Sequence, residues 1–250
     1  MNNFGLTFNE VVCEQGTPEW FEARAGVITG SKIKEVRSRL KNGDWSMAAK
    51  KYAFRLGFER IAKSLLDDTY SNAYMKRGNA LEEDARVLHE EQLGMLIDTA
   101  GFFVSQCGLF GASPDGLIGR DGGAEYKCFL SPDELMPILV EGDISTVIDQ
   151  VQMCMLATGR AWWDFFLYTP QMAGVCAKPY KVYRIERDEN YIAAMLDDLN
   201  EFNSLVDSYQ HLIAGQYGVN APAPQQEPTD EDLAEFDLAQ EVFTDYEIQF

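Results

Sequence analysis

The chain has 250 residues, 46% of them hydrophobic and 12% aromatic, which is enough to form one large domain around a packed core. No apolar run reaches about eighteen residues, and the N-terminus lacks the basic and apolar parts of a signal peptide. Both features argue against a membrane protein and predict a soluble, cytoplasmic one. The five cysteines are odd in number and form no CxxC pair, which argues against a disulfide framework or a structural zinc site.

The formal net charge of −19 seems to exclude nucleic acid as a partner, but the charges are distributed unevenly. Residues 221–250 hold nine acidic side chains and no Lys or Arg, whereas residues 24–86 hold fourteen of the 21 basic side chains against eight acidic ones. An acidic protein with one basic lobe can still bind DNA locally. We therefore predict one folded domain over residues 1–220 and a flexible acidic tail over residues 221–250.

The first predicted helix begins at residues 17–19, where Thr, Pro and Glu form a typical helix start. Trp20 and Arg24 lie four residues apart and share one face of that helix. A second helix is predicted to begin near Ser31. Small and hydroxyl residues at a helix start can bind a phosphate, with Arg24 as a second ligand. The alternative is ordinary capping with a solvated Arg24.

Two amphipathic helices are predicted next, over residues 46–66 and 72–93, after a basic turn at residues 37–45. Glu82 in the second of these helices lies among small and apolar residues on a face that could point inward. It is a candidate metal ligand. The alternative is a solvated face, because residues 82–84 are all acidic.

The central stretch is predicted to form a hairpin, because residues 109–112 and 124–127 flank a segment rich in Gly and Asp. Alternate side chains of a strand point to opposite faces, so Glu125 and Lys127 share one face. If Asp115 faces the same side, two carboxylates and one ammonium group converge.

Such a pair of carboxylates suits a hard divalent cation, which would offset the repulsion between them. Mg²⁺ accepts one or two protein carboxylates together with waters and phosphate oxygens, which fits Asp115 and Glu125. Lys127 could orient or help to deprotonate an attacking water. The alternative is an exposed hairpin with a surface ion pair.

The C-terminal part combines two helices, starting at Ser131 and spanning residues 144–158, with two strands and a long helix. Gln150 and Gln152 lie among apolar residues, and a metal-bound water or a phosphate could supply their hydrogen-bond partners. Strands interleaved with helices predict an α/β fold with a mixed central sheet flanked by helices. The predicted strands cover residues 162–168 and 180–185, and the long helix covers residues 187–214.

Five motifs in this order resemble the phage lambda exonuclease, or YqaJ-like viral recombinase, family. They are W-x3-R-x-G-V-I-T-x-S at residues 20–31, R-G-x3-E-x-D-A-R at 77–86, S-P-D-G at 113–116, E-x-K-C at 125–128 and Q-V-Q-M at 150–153. The resemblance extends from about Glu14 to about Tyr191, which is most of the chain.

The resemblance implies a restriction-endonuclease-like PD-(D/E)xK core. It assigns Asp115, Glu125 and Glu82 to the metal, with Lys127 beside the attacking water. It also implies further substrate-binding residues: Arg24, Ser31, Ser113 and Gln150 in a pocket for a 5′-phosphate, Arg39 and Lys41 in a loop that reaches into the duplex, and Met75 as a wedge at the end base pair.

The function implied by the resemblance is a 5′-to-3′ exonuclease that uses Mg²⁺, or alternatively Mn²⁺, in a two-metal mechanism. It would degrade one strand of linear double-stranded DNA from a 5′-phosphate and leave a 3′ overhang for a single-strand annealing protein. A ring-shaped homotrimer, encoded by a phage or prophage and acting in the bacterial cytoplasm, is also implied. Two alternatives remain: a structure- or sequence-directed DNA endonuclease, and a catalytically idle DNA-end clamp that loads an annealing protein.

Overall fold

The computed structural model describes residues 4–66 and 73–220. For residues 73–80 it describes only the helical backbone and not the side chains. The predicted acidic tail at residues 221–250 lies outside the described residues. Seven α-helices lie in the described part: α1 (Pro18–Arg24), α2 (Ile33–Val36), α3 (Met47–Ala62), α4 (Ala73–Leu93), α5 (Pro132–Met136), α6 (Ser145–Thr158) and α7 (Glu189–Tyr217). None of them has the combination of length and apolar character that a membrane-spanning helix requires.

The helix starts follow the capping residues in the sequence. Thr17 accepts a hydrogen bond from the backbone N–H of Trp20 at the start of α1, and Ser46 accepts one from Ala49 at the start of α3. These bonds satisfy backbone donors that would otherwise have no partner in the first turn. The predicted starts of both helices are therefore confirmed, whereas the predicted second helix near Ser31 is a single 3₁₀ turn followed by the four-residue α2.

Within residues 4–66 and 73–220, eight strands form two mixed four-stranded sheets, which confirms the predicted mixed α/β class. The first sheet has the order β1 (Phe8–Val11), β3 (Phe102–Ser105), β4 (Phe110–Ala112), β2 (Ile28–Thr29). The second has the order β5 (Gly116–Ile118), β6 (Gly122–Lys127), β7 (Trp162–Tyr168), β8 (Tyr180–Glu186). β6 and β7 are parallel, and α5 and α6 lie in the crossover between them, as a parallel pair requires.

The predicted hairpin has the wrong first strand. Residues 110–112 pair with β3 and β2 in the first sheet, whereas β6 pairs with β5, so that Gly116 lies opposite Ala124. The strand β5 has only three residues and is too short to stand out as an apolar run in the sequence. The correction leaves the site intact, because Asp115 immediately precedes β5 and so still lies beside β6.

The core has two parts, one on each face of the second sheet. Trp163, Phe165 and Leu167 of β7 pack with α3, α6 and α7 in the larger cluster. Phe166 and Tyr168 alternate with them and pack under α4 together with Tyr126 of β6. Because helices cover both faces, β6 and β7 are buried along nearly their whole length, and the polar residues on them need specific partners.

Candidate active site

Asp115 lies at the entrance to β5 and is fixed by its neighbours on both sides. The backbone N–H of Tyr126 donates a hydrogen bond of 2.9 Å to Oδ2 of Asp115. The carbonyl oxygen of Pro114, one residue earlier, accepts a 2.9 Å hydrogen bond from the Gln15 side chain. The hairpin partner and the N-terminal segment therefore hold the Asp115 carboxylate against β6.

Glu125 and Lys127 lie on one face of β6, as the alternation of a strand predicts. Glu125 is fully buried, and its Oε1 is in direct contact with the ammonium group of Lys127, whose side chain is 26% exposed. Among the described residues, Oε2 of Glu125 is buried and has no hydrogen-bond partner. A buried carboxylate oxygen without a partner is costly, which indicates that a ligand belongs there.

Glu82 of α4 interacts electrostatically with Asp115 and Lys127. Burial, and after it the negative charge of Asp115, raises the pKa of Glu82 to about 7, although Lys127 opposes this shift. Glu83 and Asp84, the two acids that follow, are exposed, so the three adjacent acids do not share one solvated face. The structure thus brings Glu82, Asp115, Glu125 and Lys127 together.

Burial raises the pKa of each carboxyl group of the site while no cation is bound. Burial, followed by the charge of Asp115, raises the pKa of Glu125 to about 8. Burial also raises the pKa of Asp115, although Lys127 and the bond from Tyr126 oppose it. Burial lowers the pKa of Lys127, but Glu125 and Asp115 outweigh it and raise that pKa. The site therefore has more carboxyl groups than Lys127 alone could balance if all of them were ionised.

These residues fit a hard divalent cation. Asp115 and Glu125 offer carboxylate oxygens, one of them without a partner, and Mg²⁺ needs no more than one or two protein carboxylates. Within residues 4–66 and 81–220, no three Asp, Glu, His or Cys side chains are arranged so that they could hold a metal ion together. A direct bond from Glu82 to the ion therefore stays a prediction.

A cavity of about 770 Å³ opens onto the carboxylates from the side of the N-terminal segment. Asp115 and Glu82 form part of its wall, and Arg86 contributes a guanidinium group that is held by Glu83 and Glu90. Its volume lies within the range of small-molecule binding pockets, and both acids line it.

The predicted phosphate pocket is partly assembled. The guanidinium group of Arg24 donates a 3.1 Å hydrogen bond to Oγ of Ser113 and lies 4.1 Å from the centre of the Trp20 ring. Trp20 Nε1 donates a second bond of 2.9 Å to the same Oγ. Burial lowers the pKa of Arg24 to about 10, and the nearby guanidinium of Arg55 adds to this effect. A guanidinium held in this way is ready to bind an anion.

The turn that carries Ser31 and the helix that carries Gln150 are neighbouring elements. A Cβ built at Gly30, next to Ser31, would lie 3.3 Å from the Met153 side chain and 3.6 Å from the carbonyl oxygen of Gln150. The turn that carries Ser31 therefore packs directly on α6. Ser31 is exposed and Gln150 is half-buried, so both side chains are accessible to a ligand.

Gln152, unlike Gln150, has a structural role. Its amide nitrogen donates to the carbonyl oxygen of Glu186 (2.9 Å), and its amide oxygen accepts from the N–H of Asp188 (3.0 Å). The suggestion that a phosphate or a metal-bound water satisfies this side chain is therefore wrong. The end of β8 satisfies it, a contact between residues far apart in sequence.

Two arginines of the basic turn at residues 37–45 already have acidic partners within the protein. Arg37 forms ion pairs with Asp149 and Asp198, and Arg39 pairs with Glu201 and stacks on Trp45. Lys41 is exposed at the tip and forms no ion pair within the described residues. DNA contacts by Arg39 and Lys41 stay predictions, and the side chain of Met75 lies outside the described residues.

Two residues that hold the site in place are not predicted from the sequence. Trp20 was placed beside Arg24 but not assigned to the pocket, although its indole holds Ser113. Tyr126 was not predicted to belong to the site, because its side chain points to the opposite face of β6, but its backbone N–H holds Asp115. The position of Trp20, four residues before Arg24 on the same helix face, could have indicated its role. Nothing in the sequence indicated the role of Tyr126.

Comparison with known proteins gives similarities of sequence and structure. Residues 19–161 match the sequence model of the YqaJ-like viral recombinase domain. An alkaline exonuclease, LHK-Exo, from Laribacter hongkongensis is 28% identical, with a TM-score of 0.68 over 81% of this chain and 98% of that chain. Its complex with dAMP gives 29% identity and a TM-score of 0.69 over the same shares.

A phage-related exonuclease from Haemophilus somnus 129PT shares the fold at 15% identity, with a TM-score of 0.57 over 76% of this chain and 96% of that chain. No match was found among curated proteins. These similarities confirm the predicted PD-(D/E)xK fold. The match covers more than half of the 250 residues of the chain, which therefore belongs to the YqaJ-like viral recombinase family.

Proposed function

We propose that the protein is an Mg²⁺-dependent exonuclease that degrades one strand of linear double-stranded DNA from the 5′ end and leaves a 3′ overhang. The observation that carries the proposal is the proximity of two sites. Ser113 is held by Arg24 in an anion pocket, and Asp115, two residues later, belongs to the carboxylate cluster. An enzyme that binds a terminal phosphate next to the place where it cuts removes nucleotides from ends.

The chain's own residues supply most of the required geometry. Asp115 and Glu125 would hold the cations, and Glu82 adds negative charge beside them. When bound, two Mg²⁺ ions, or Mn²⁺ in their place, would lower the pKa of the attacking water and stabilise the charge on the leaving oxygen. Lys127 lies against Glu125, where its ammonium group can orient that water and offset charge on the phosphate.

Arg24 and Ser113 would bind the 5′-phosphate. Ser31, from the turn before α2, and Gln150, from α6, would complete the pocket. Each cut creates a new 5′-phosphate, which the same pocket can bind, so that the enzyme would advance along the strand. The similar alkaline exonuclease from Laribacter hongkongensis forms a complex with dAMP, a mononucleotide of the kind that DNA digestion releases.

The 3′-tailed product implies a partner that binds single strands. We propose a single-strand annealing protein for this role, in phage-type recombination in the bacterial cytoplasm, with the exonuclease as a ring-shaped homotrimer around the duplex. Size determination in solution tests the trimer, and co-purification with the annealing protein of the same phage or prophage tests the partner.

The polarity and the metal requirement are tested with linear duplex DNA labelled at one 5′ or one 3′ end. The substrates carry either a 5′-phosphate or a 5′-hydroxyl group, and each is digested with Mg²⁺ or with EDTA. We expect Mg²⁺-dependent loss of the 5′ label first and slower digestion of the 5′-hydroxyl end. Cutting of closed circular DNA would favour an endonuclease, and binding of ends without any digestion would favour the idle clamp.

A further inference from the structure

His89 of α4 is completely buried beneath the candidate active site. Its Nδ1 lies 3.3 Å from the hydroxyl oxygen of Tyr126 on β6. Its Nε2 lies 3.4 Å from Oδ2 of Asp164 on β7, without the alignment of a full hydrogen bond. One imidazole ring therefore contacts both central strands of the second sheet.

The partners of His89 determine where its proton lies. Asp164 accepts hydrogen bonds of 2.5 and 3.0 Å from Arg184. Burial raises the pKa of Asp164, but the contacts with His89 and Arg184 outweigh it and hold that pKa below its usual value. An ionised carboxylate can only accept, so the proton belongs on Nε2 of His89, and Nδ1 accepts from the Tyr126 hydroxyl group.

This chain of contacts leads to the candidate metal ligands by two routes. Tyr126, whose hydroxyl group meets His89, also donates its backbone N–H to Asp115. Glu82 lies seven residues before His89 on α4, about two turns away on the same face of the helix. The ring therefore sits where α4 is fixed to the sheet, and α4 carries Glu82 to the site.

Packing alone does not account for a histidine at this position. The ring lies 4.8 Å from the Phe166 ring, and a phenylalanine would make the same contact. A buried polar ring carries a desolvation cost that phenylalanine avoids, so its specific effect must come from the two polar contacts. Those contacts fix the rotation and the height of α4 over β6 and β7.

We propose that His89 is a positioning residue that sets the distance between Glu82 and Asp115 through α4 and through Tyr126. The inference rests on the proposed function, because it assigns His89 a part in forming the cation site. His89 is completely buried and does not line the cavity, so it would act through other residues, in the way that residues behind a metal ligand tune its affinity.

The test compares two variants with the wild type: His89→Phe, which keeps an aromatic ring but loses both ring nitrogens, and Tyr126→Phe, which loses only the hydroxyl group. Binding of Mn²⁺ to the full-length protein without DNA is measured by electron paramagnetic resonance. The Mg²⁺ concentration for half-maximal digestion, and the KM for linear duplex ends, are measured in parallel. We expect Mn²⁺ affinity to fall about 10-fold and the Mg²⁺ requirement to rise by a similar factor, with KM unchanged.

Leu199→Ala serves as the control, because Leu199 is fully buried in the other part of the core. It should lower the melting temperature without changing the Mn²⁺ affinity. If His89→Phe does not fold, Tyr126→Phe decides the question, since it removes a single hydroxyl group. Unchanged Mn²⁺ affinity in the folded variants would overturn the inference alone. Wild-type protein that binds no Mn²⁺ would overturn the proposed function as well.

Discussion

Lys127 occupies one oxygen of Glu125 and leaves the other one open. Its ammonium group contacts Oε1, while Oε2 is buried and has no partner among the residues that the structure describes. One carboxylate can therefore bind a cation and the lysine that assists the reaction at the same time. This relationship explains why a Glu and a Lys must lie two residues apart on a strand.

We expect Asp115→Asn and Glu125→Gln each to reduce digestion of linear duplex DNA by on the order of 10³-fold, because each removes a charge that holds the cation. Both replacements keep the shape of the side chain, so folding should be retained. Initial rates with end-labelled duplex measure the loss, and circular dichroism checks the fold. A variant with more than about a tenth of the wild-type rate would refute the assigned role.

Glu82→Gln should have a smaller effect, about 10- to 100-fold on the rate, because Glu82 tunes the site from α4 rather than holding the cation alone. Glu83→Gln is the matched control, since Glu83 is the next residue on the helix and is exposed. Rates are compared at saturating Mg²⁺. Equal rates for the two variants would place Glu82 outside the site.

Arg24→Ala should reduce the number of nucleotides removed per binding event far more than it reduces the rate of a single cut. The reason is that Arg24 is expected to retain the new 5′-phosphate after each step. Arg24→Lys keeps the charge but loses the planar fork, and it should restore the run length only in part. Single-turnover digestion with a DNA trap measures the run length.

The exposed Arg120→Ala is the control for Arg24, because it removes one positive charge from the turn between β5 and β6. Its run length should equal that of the wild type. If Arg24→Ala also ran as far as the wild type, the pocket would have no part in movement along the strand.

The metal-free protein should lose stability as the pH rises. The pKa of Glu125 is raised from 4.5 to about 8 in the folded protein, mainly by burial. Between these two pH values the folded state keeps a proton that the unfolded chain releases, so the free energy of unfolding falls with increasing pH. Urea denaturation in EDTA across this range measures the change, and Glu125→Gln should flatten it.

The same shift predicts proton release on metal binding. Because a cation must displace the proton from Glu125, the affinity for Mn²⁺ should rise with pH until about 8 and then level off. Calorimetric titrations in buffers of different ionisation enthalpy count the released protons. An affinity that is independent of pH over this range would contradict the raised pKa.

Gly26→Ala should destabilise the protein and disturb the phosphate pocket. Gly26 has a φ of +74°, and an added Cβ would lie 2.6 Å from Cγ of Arg60. Its N–H donates to Glu59 and its carbonyl oxygen accepts from Arg60, so α3 holds the chain two residues after Arg24. We expect a loss of about 1–3 kcal/mol from the backbone strain alone, with further loss from the close contact.

Gly43→Ala is the matched control for this glycine. Gly43 has a φ of +87°, and nothing lies within 4 Å of an added Cβ, so it isolates the strain of a positive φ. Thermal denaturation should show a larger decrease for Gly26→Ala than for Gly43→Ala. Equal decreases would mean that the contact with Arg60 relaxes without cost.

The sequence alone determined the local features of this protein. Capping residues marked the starts of α1 and α3, and the alternation of β6 placed Glu125 and Lys127 on one face. These features depend on residues within a few positions of one another. The family motifs carried the assignment of Asp115, because its approach to β6 involves residues eleven positions apart.

The tertiary structure decided which strands pair and which polar groups are already satisfied. It placed residues 110–112 in the other sheet, gave Gln152 its partners at the end of β8, and engaged Arg39 with Glu201. It also brought His89, Tyr126 and Asp164 together from three separate elements. Pairing and burial depend on contacts between distant parts of the chain, and neither residue type nor local spacing determines the partner.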